Sequence, residues 1–242
     1  MDIKLGKLEF PKIDFLATVS KSVEKTHCFR KQCSAINKYA NVTILVEPNK
    51  KNAGFEFANK ITGVPKNHIS NKYIVTGWVP DEYISYIEMG IKDAMKDCLK
   101  GFTVSDIKCS LLDVSYHKCD SDRGIYYSIA SRMAFIEAFR EAEPIFSEPI
   151  MDVKISGSSQ SVYNIIKNIK NIRGEVYDYT VSSGRGVLKA LIPDYEIQSY
   201  VFSNGYFIDR QTGYRKTLHH YGILPEEMAY KISALYSEAE EN

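Results

Sequence analysis

The chain has 242 residues, 44% of them hydrophobic and 25% charged, and a net charge of +1. That length exceeds one small core and fits two domains. The near-zero charge excludes the global basic field of a non-specific nucleic-acid coat, so any nucleic-acid contact has to come from a local patch. Five cysteines (Cys28, Cys33, Cys98, Cys109 and Cys119) are odd in number, irregularly spaced and form no CxxC pair. They read as free thiols in a reducing compartment. No apolar run approaches a membrane span and the N-terminus lacks a signal-like apolar stretch, which points to a soluble, cytoplasmic protein.

Residues 13–30 read as extended, and Val42-Thr43-Ile44-Leu45-Val46 is a β-branched run closed by Pro48. The polar stretch 31–41 between them reads as a hairpin loop or wide turn. Residues 49–78 are mixed and loop-rich. Pro80 opens a helix whose apolar face carries Ile84, Ile87, Ile91, Ala94, Met95 and Cys98, with Gly101 as its C′ residue. Residues 104–114 alternate as a half-buried strand, and the polar run Ser115-Tyr116-His117-Lys118-Cys119-Asp120-Ser121 follows. Ser121 is placed to cap the next helix, whose spacing predicts an apolar face of Ile125, Ile129, Met133, Ile136 and Phe139. Pro144 and Pro149 bracket a connector taken as the domain boundary, giving domains 1–150 and 151–242. Met151, Val153 and Ile155 then alternate as a strand, and Val162, Ile165, Ile166 and Ile169 repeat as a helix. Two strands joined at Ser183-Gly184-Arg185, a helix after Pro193 and a strand around 213–218 complete a β-α-β-β-α-β order, the ferredoxin-like sandwich. The tail beyond Pro225 reads as one more helix.

No GxxxxGK[ST], HExxH or GxSxG occurs. Gly184-Arg185-Gly186 reads as a hairpin turn, with no following helix to bind a pyrophosphate. His117 and Cys119 are a weak metal pair that only His219-His220, brought in by the fold, would complete. As a nucleophilic pair they lack an orienting third residue. The remaining chemistry is recognition. Tyr116 is suited to stacking and His117 to a phosphate or 2′-hydroxyl, with Lys118, Arg123, Lys31, Lys38 and Tyr39 adding charge and an aromatic ring. On composition alone the plainer reading, a solvated loop with a capping serine, is favoured.

The order of motifs changes that balance. Gly54-Phe55-Glu56-Phe57 and Val79-Pro80-x-Glu82-Tyr83-Ile84 resemble the "GYEF … IPxEYI" run of bacterial elongation factor G. Ser115-Tyr116-His117-x-x-Asp120-Ser121 resembles that family's "GSYHxVDSS". Ala134-Phe135-x-x-Ala138-Phe139 resembles "AFKEAF", Glu148-Pro149-Ile150-Met151 matches "EPIM", and Arg173-Gly174 sits where the family has "RRG". The resemblance covers nearly all of the chain and corresponds to the family's fourth and fifth domains. It implies an α+β fold: a ribosomal protein S5 domain 2-like domain, with a left-handed βαβ crossover, followed by a ferredoxin-like domain. Residues 1–12 would be a remnant of the third domain. GTP and Mg²⁺ are expected only in the missing N-terminal domain, so the chain itself is expected to hold no cofactor and to be no enzyme.

The resemblance further implies a monomer that binds the ribosome. The tip of the fourth domain enters the decoding site, against the tRNA–mRNA pair, during translocation. By that likeness Ser115, Tyr116, His117, Lys118 and Asp120 lie at the tip, with Lys31, Gln32, Lys38 and Tyr39 on its second loop. Arg173 and Gly174 would face the ribosome from the fifth domain. Where the family's second loop reads "QSGGRGQYGH", this chain has Ser34, Ala35, Asn37, Ala40 and Asn41, which removes glycine's access to positive φ. Residues 63–78 are also longer than the family's equivalent. Both departures point to a diverged paralogue, which includes a ribosomal-protection protein of the tetracycline-resistance type. A stand-alone RNA- or protein-binding module is the remaining reading.

Overall fold

The computed structural model describes residues 13–33, 36–68, 71–204 and 213–241. The segment 1–12 lies outside them. The described residues form two compact units, one within 16–145 and one from 146 onward together with residues 13–15.

The first unit takes its strands in the order β1 (Phe15–Val19), β2 (Val23–Cys33), β3 (Ile36–Pro48), β4 (Phe55–Asn59), β5 (Lys66–His68) and β6 (Asn71–Thr76). Helix α1 (Asp81–Asp97), β7 (Phe102–Val104), β8 (Ile107–His117) and helix α2 (Ile125–Glu141) follow. The main sheet runs β2-β3-β8-β6-β5, and β4 pairs in parallel with the first half of β8. A parallel pair needs a crossover, and α1 lies in it. The β-branched run of β3 places Val42, Ile44 and Val46 inward, all with no solvent exposure. On β8 the inward residues are Ile107, Cys109 and Leu111, but the register against β3 skips Leu112. This bulge resets the alternation, so Val114 is the next inward side chain.

Helix α1 starts after Pro80, with Asp81 and Glu82 in the first turn and Lys96 in the last, as the helix dipole favours. Its buried residues are Tyr83, Ile87, Gly90, Ile91, Ala94 and Met95; Ile84 and Cys98 of the predicted face are only half-buried. Cys98 caps the helix, so Gly101 does not end it. Gly101 takes its φ of 80° in the turn into β7 instead. The predicted face of α2 is largely reversed. Ile125, Ile129 and Met133 are exposed, while Tyr127, Ala130, Ser131, Ala134, Phe135 and Ala138 are buried. Close approach to α1 explains the exchange. A Cβ on Gly90 would stand 2.1 Å from the Ser128 carbonyl oxygen and 2.4 Å from Ser131 Oγ. Only small side chains fit there, and the Ser131 hydroxyl donates to the Ile87 carbonyl at 2.9 Å.

The second unit is built from β9 (Pro144–Ser158), α3 (Ser159–Ile169), a 3₁₀ turn (Lys170–Ile172), β10 (Glu175–Ser182), β11 (Arg185–Pro193), α4 (Asp194–Asn204), β12 (Gly213–Leu224) and α5 (Glu226–Glu241). The bracketed connector is therefore strand: β9 begins at Pro144 and runs on without a break. Within this unit the strand order is β10-β11-β9-β12, all antiparallel. The order β-α-β-β-α-β is the ferredoxin-like one. Ser158 caps α3 by accepting from the Ser161 N–H at 3.0 Å. Ser183 and Gly184, with φ of 49° and 75°, form the two-residue turn between β10 and β11, as the hairpin reading of Gly184-Arg185-Gly186 requires. Val153, Ile155, Leu188, Ala190 and Ile192 line the inner sheet face against Val162, Ile169 and Ile197.

Candidate nucleic-acid interface

The described part of 31–41 is strand, not loop. Strands β2 and β3 run almost to their junction, with Arg30 opposite Tyr39, Lys31 opposite Lys38 and Gln32 opposite Asn37. Residues 34 and 35 lie outside the described residues. Likewise Ser115, Tyr116 and His117 are the last residues of β8, and only 118–120 form a turn. The end of β8 is flanked by β3 on one side and β6 on the other. Three strand ends therefore meet here: the β2–β3 hairpin, the β8 turn and the β5–β6 hairpin built from the long 63–78 segment.

Backbone bonds staple them. The Tyr39 N–H donates to the Asp120 carbonyl at 2.9 Å, and the Lys118 N–H donates to the Tyr73 carbonyl at 2.9 Å. Ser121 does not cap α2, whose N-cap is Gly124. Its hydroxyl instead donates to the Tyr39 carbonyl at 2.8 Å and accepts from the His117 N–H at 2.9 Å. Buried with no exposed surface, Ser121 is the knot that ties β3 to the β8 turn.

Strand alternation separates the two aromatic side chains of the polar run. Tyr116 turns toward the helices, packing edge-on to Trp78 with ring centroids 5.5 Å apart and 6.5 Å from Tyr83. That packing leaves the Tyr116 ring half-buried. His117 lies on the other face, 5.9 Å from the ring of Tyr39 and 6.0 Å from that of Tyr73, and its side chain is only 16% exposed. Its Nδ1 stands 3.2 Å from the Asp120 N–H and 3.1 Å from Asp120 Oδ2. A neutral ring accepts from the backbone there, and a protonated ring donates to the carboxylate. Tyr39 is buried, which raises its phenol pKa, and the Arg30 guanidinium sits over its ring at 5.3 Å. Ser115 is buried too, its carbonyl accepting from Tyr127 Oη at 2.9 Å.

The groups left facing outward are different ones. Lys31, Gln32 and Lys118 are exposed, and Lys38 is half-buried with its Nζ 5.6 Å from the Tyr126 ring. Sequence reasoning missed Arg30, Lys72 and Tyr73. Tyr73 is 47% exposed, with Lys72 Nζ 5.3 Å from its ring centre and the His117 ring 6.0 Å away. Its signal was Asn71-Lys72-Tyr73 inside the lengthened segment, legible only once β6 is known to pair with β8. Arg30, Lys31, Gln32, Lys38, His117 and Asp120 are among the residues lining a recess of about 320 Å³. Lys31 and Lys38, directly opposite each other, repel across the ladder.

In the second unit, Arg173 takes φ 53° after the 3₁₀ turn, and the Gly174 N–H donates to the Ile169 carbonyl at 2.9 Å. Three N–H groups of the Arg173 guanidinium are engaged by carboxylates. Nη1 and Nη2 donate to both oxygens of Glu148, the latter at 3.0 Å, and Nε donates to Glu196 Oε1 at 2.7 Å. Burial opposes the charge on Arg173, but the hydrogen bonds to Glu148 and Glu196 outweigh it and hold its pKa above the ordinary guanidinium value. Glu148 is 1% exposed, so Arg173 compensates a buried carboxylate. Gly174 is packed too tightly for a side chain, since a Cβ would stand 2.9 Å from Ile169 Cγ1.

Among the described residues no three His, Cys, Asp or Glu side chains converge as a metal site. His219 and His220 contact each other at the β12 register shift, Nδ1 to Nδ1 at 2.6 Å. Burial pushes the thiols of Cys98 and Cys109 up to about 11 and about 12. No helix of the described residues is long and apolar enough to cross a membrane.

The first unit is thus a helix-backed α+β domain with a stapled basic tip, and the second is a ferredoxin-like sandwich. Residues 11–143 match the family model of elongation factor G, domain IV, and the chain belongs to that family. It is also similar to the crystal structure of ttk003000868 from Thermus thermophilus, with 26% identity and a TM-score of 0.64. The match covers 94% of this chain and 32% of that one, so the chain spans about a third of the length of that protein.

Proposed function

We propose that this chain is the ribosome-engaging part of an elongation factor G-like translational GTPase. In this reading the three-hairpin tip enters the decoding site and supports one position of the tRNA–mRNA pair during translocation. One observation carries it. The tip's backbone is fixed by internal hydrogen bonds while Arg30, Lys31, Lys72, Lys118 and the Tyr73 ring remain exposed. Cations carried on a fixed backbone beside an exposed aromatic ring suit phosphate contact and base stacking. The action is steric and electrostatic, and nucleotide hydrolysis belongs to a domain outside this chain. The protein works as a cytoplasmic monomer, with its second unit near large-subunit RNA. Arg173 and Gly174 serve that docking by fixing the corner after α3.

Co-sedimentation with ribosomes across a salt series tests this reading. The wild-type chain pellets with ribosomes. The Lys31→Ala, Lys38→Ala, Lys118→Ala triple variant binds more weakly, and its slope of log affinity against log salt falls by about two to three. Equal binding and an equal slope would sink the tip assignment.

A second reading, ribosomal protection against a drug, draws on the β5–β6 hairpin that joins the tip and on the side chains replacing the family's glycines in the β2–β3 hairpin. Tetracycline susceptibility of cells expressing the full-length protein that carries this chain separates the two.

A further inference from the structure

Tyr126, in the first turn of α2, touches two residues of the β2–β3 hairpin at once. Its ring stacks on Phe29 of β2, with centroids 5.9 Å apart and planes 29° apart, and Lys38 Nζ of β3 lies 5.6 Å from its centre. Tyr126 is 5% exposed, so the ring is held in place by its surroundings. Phe29 belongs to a row. On β2 every second side chain turns toward α2: Lys25 Nζ pairs with Glu141 Oε1 at 2.6 Å, His27 Nδ1 stands 3.0 Å from Glu137 Oε1, and Phe29 meets Tyr126. The next side chain of that row is Lys31, and Lys38 stands directly opposite it on β3.

Side chains directly opposite share a face, so the two ammonium groups repel one another at the tip. Among the described residues neither is paired with a carboxylate. Their surroundings differ. Lys31 is exposed, whereas Lys38 is half-buried beside the Tyr126 ring. The electron-rich face of an aromatic ring attracts an ammonium. A lysine already held in this way gives up less side-chain freedom when a phosphate reaches it. In the family's "QSGGRGQYGH" a glutamine precedes the tyrosine where this chain has Lys38, so the cation that Tyr126 holds is this chain's own.

We infer that Tyr126 is a positioning residue for the tip. Its ring holds the Lys38 ammonium apart from that of Lys31, so the β2–β3 hairpin offers two cations to RNA phosphates at a fixed separation. The stack on Phe29 ties the same ring to β2, so one side chain sets both strands of the hairpin against α2. The inference rests on the tip reading above, and it concerns how the tip cations are arranged.

The test is a double-mutant cycle on the full chain, read by co-sedimentation with ribosomes. Lys38→Gln is measured in wild type and in the Tyr126→Leu background. Lys31→Ala in both backgrounds is the comparison, and Tyr126→Phe is the variant that keeps the ring. Tyr126→Phe binds as wild type does. In the Tyr126→Leu background the loss caused by Lys38→Gln shrinks by about two- to five-fold, the size of one cation–π contact, while the loss caused by Lys31→Ala is unchanged. Equal Lys38→Gln losses in the two backgrounds would overturn the inference. So would a Tyr126→Phe variant as weak as Tyr126→Leu, or a Lys31→Ala loss that shrinks along with the other, because Tyr126 would then act by general packing. The triple tip variant keeps the two readings apart. If it binds as tightly as wild type, the tip reading fails and this one falls with it. Weak binding by the triple variant together with an additive cycle removes this inference alone. If Tyr126→Leu does not fold, NMR of the wild-type chain decides. An upfield ring-current shift of the Lys38 ε-methylene protons, absent at Lys31, supports the contact, and random-coil values at both overturn it.

Discussion

The tip of the first unit and the corner after α3 in the second unit use their charges in opposite ways. At the tip, backbone groups and one buried hydroxyl make the ties, and the cationic ends are left in solvent. At the corner, the cation itself is the tie: Arg173 gives its guanidinium to Glu148 and Glu196. An arginine matched to a family motif and a lysine matched to a family loop are therefore different kinds of evidence. A charge already held by a buried carboxylate is committed to the fold, and only an unheld one is available to a partner.

The largest effect that tests this contrast is at the corner. Arg173→Met leaves Glu148 buried without its counter-charge and is expected to cost about 3–5 kcal/mol of stability, read by urea unfolding. Adding Glu148→Gln restores much of that loss, because the uncompensated charge is gone. A single variant as stable as wild type would mean that Arg173 is free for a partner after all.

Ser121→Ala comes next. It removes the hydroxyl between the Tyr39 carbonyl and the His117 N–H, with an expected cost of about 1–3 kcal/mol. Amide exchange at His117 and across 36–41 should speed up, while exchange in β9 to β12 stays unchanged. Protection unaltered at both sites would show that the remaining backbone bonds suffice to hold the tip.

The smallest effect on stability belongs to the exposed cations. Lys31→Ala and Lys118→Ala are each expected to change unfolding free energy by less than about 0.5 kcal/mol, while weakening RNA binding in a salt-dependent way. Tyr73→Ala sharpens the point. It should remove stacking worth roughly 1–3 kcal/mol of RNA affinity, measured with a single-stranded probe, whereas Tyr116→Ala should chiefly destabilise the fold because that ring packs on Trp78. Equal RNA effects from the two would return Tyr116 to the interface.

The amino-acid sequence by itself determined the local elements and their order. Apolar spacings of two and of three to four marked β9 and α3, since those periods are properties of a single segment and need no partner. The ordered motifs from Gly54 to Arg173 carried the family and, with it, the fold class. Tertiary structure alone decided which face of α2 is buried. That helix is apolar on more than one side, and the backbone contact at Gly90 selects the face with small residues rather than the one with Ile125, Ile129 and Met133. It also decided the fate of the central polar run. The bulge at Leu112 sets the phase that sends Tyr116 inward and His117 outward, and Ser121 finds its partner 82 residues away at Tyr39. A strand's phase after a bulge and a bond between distant segments are set by the pairing of whole strands, which no stretch of sequence contains alone.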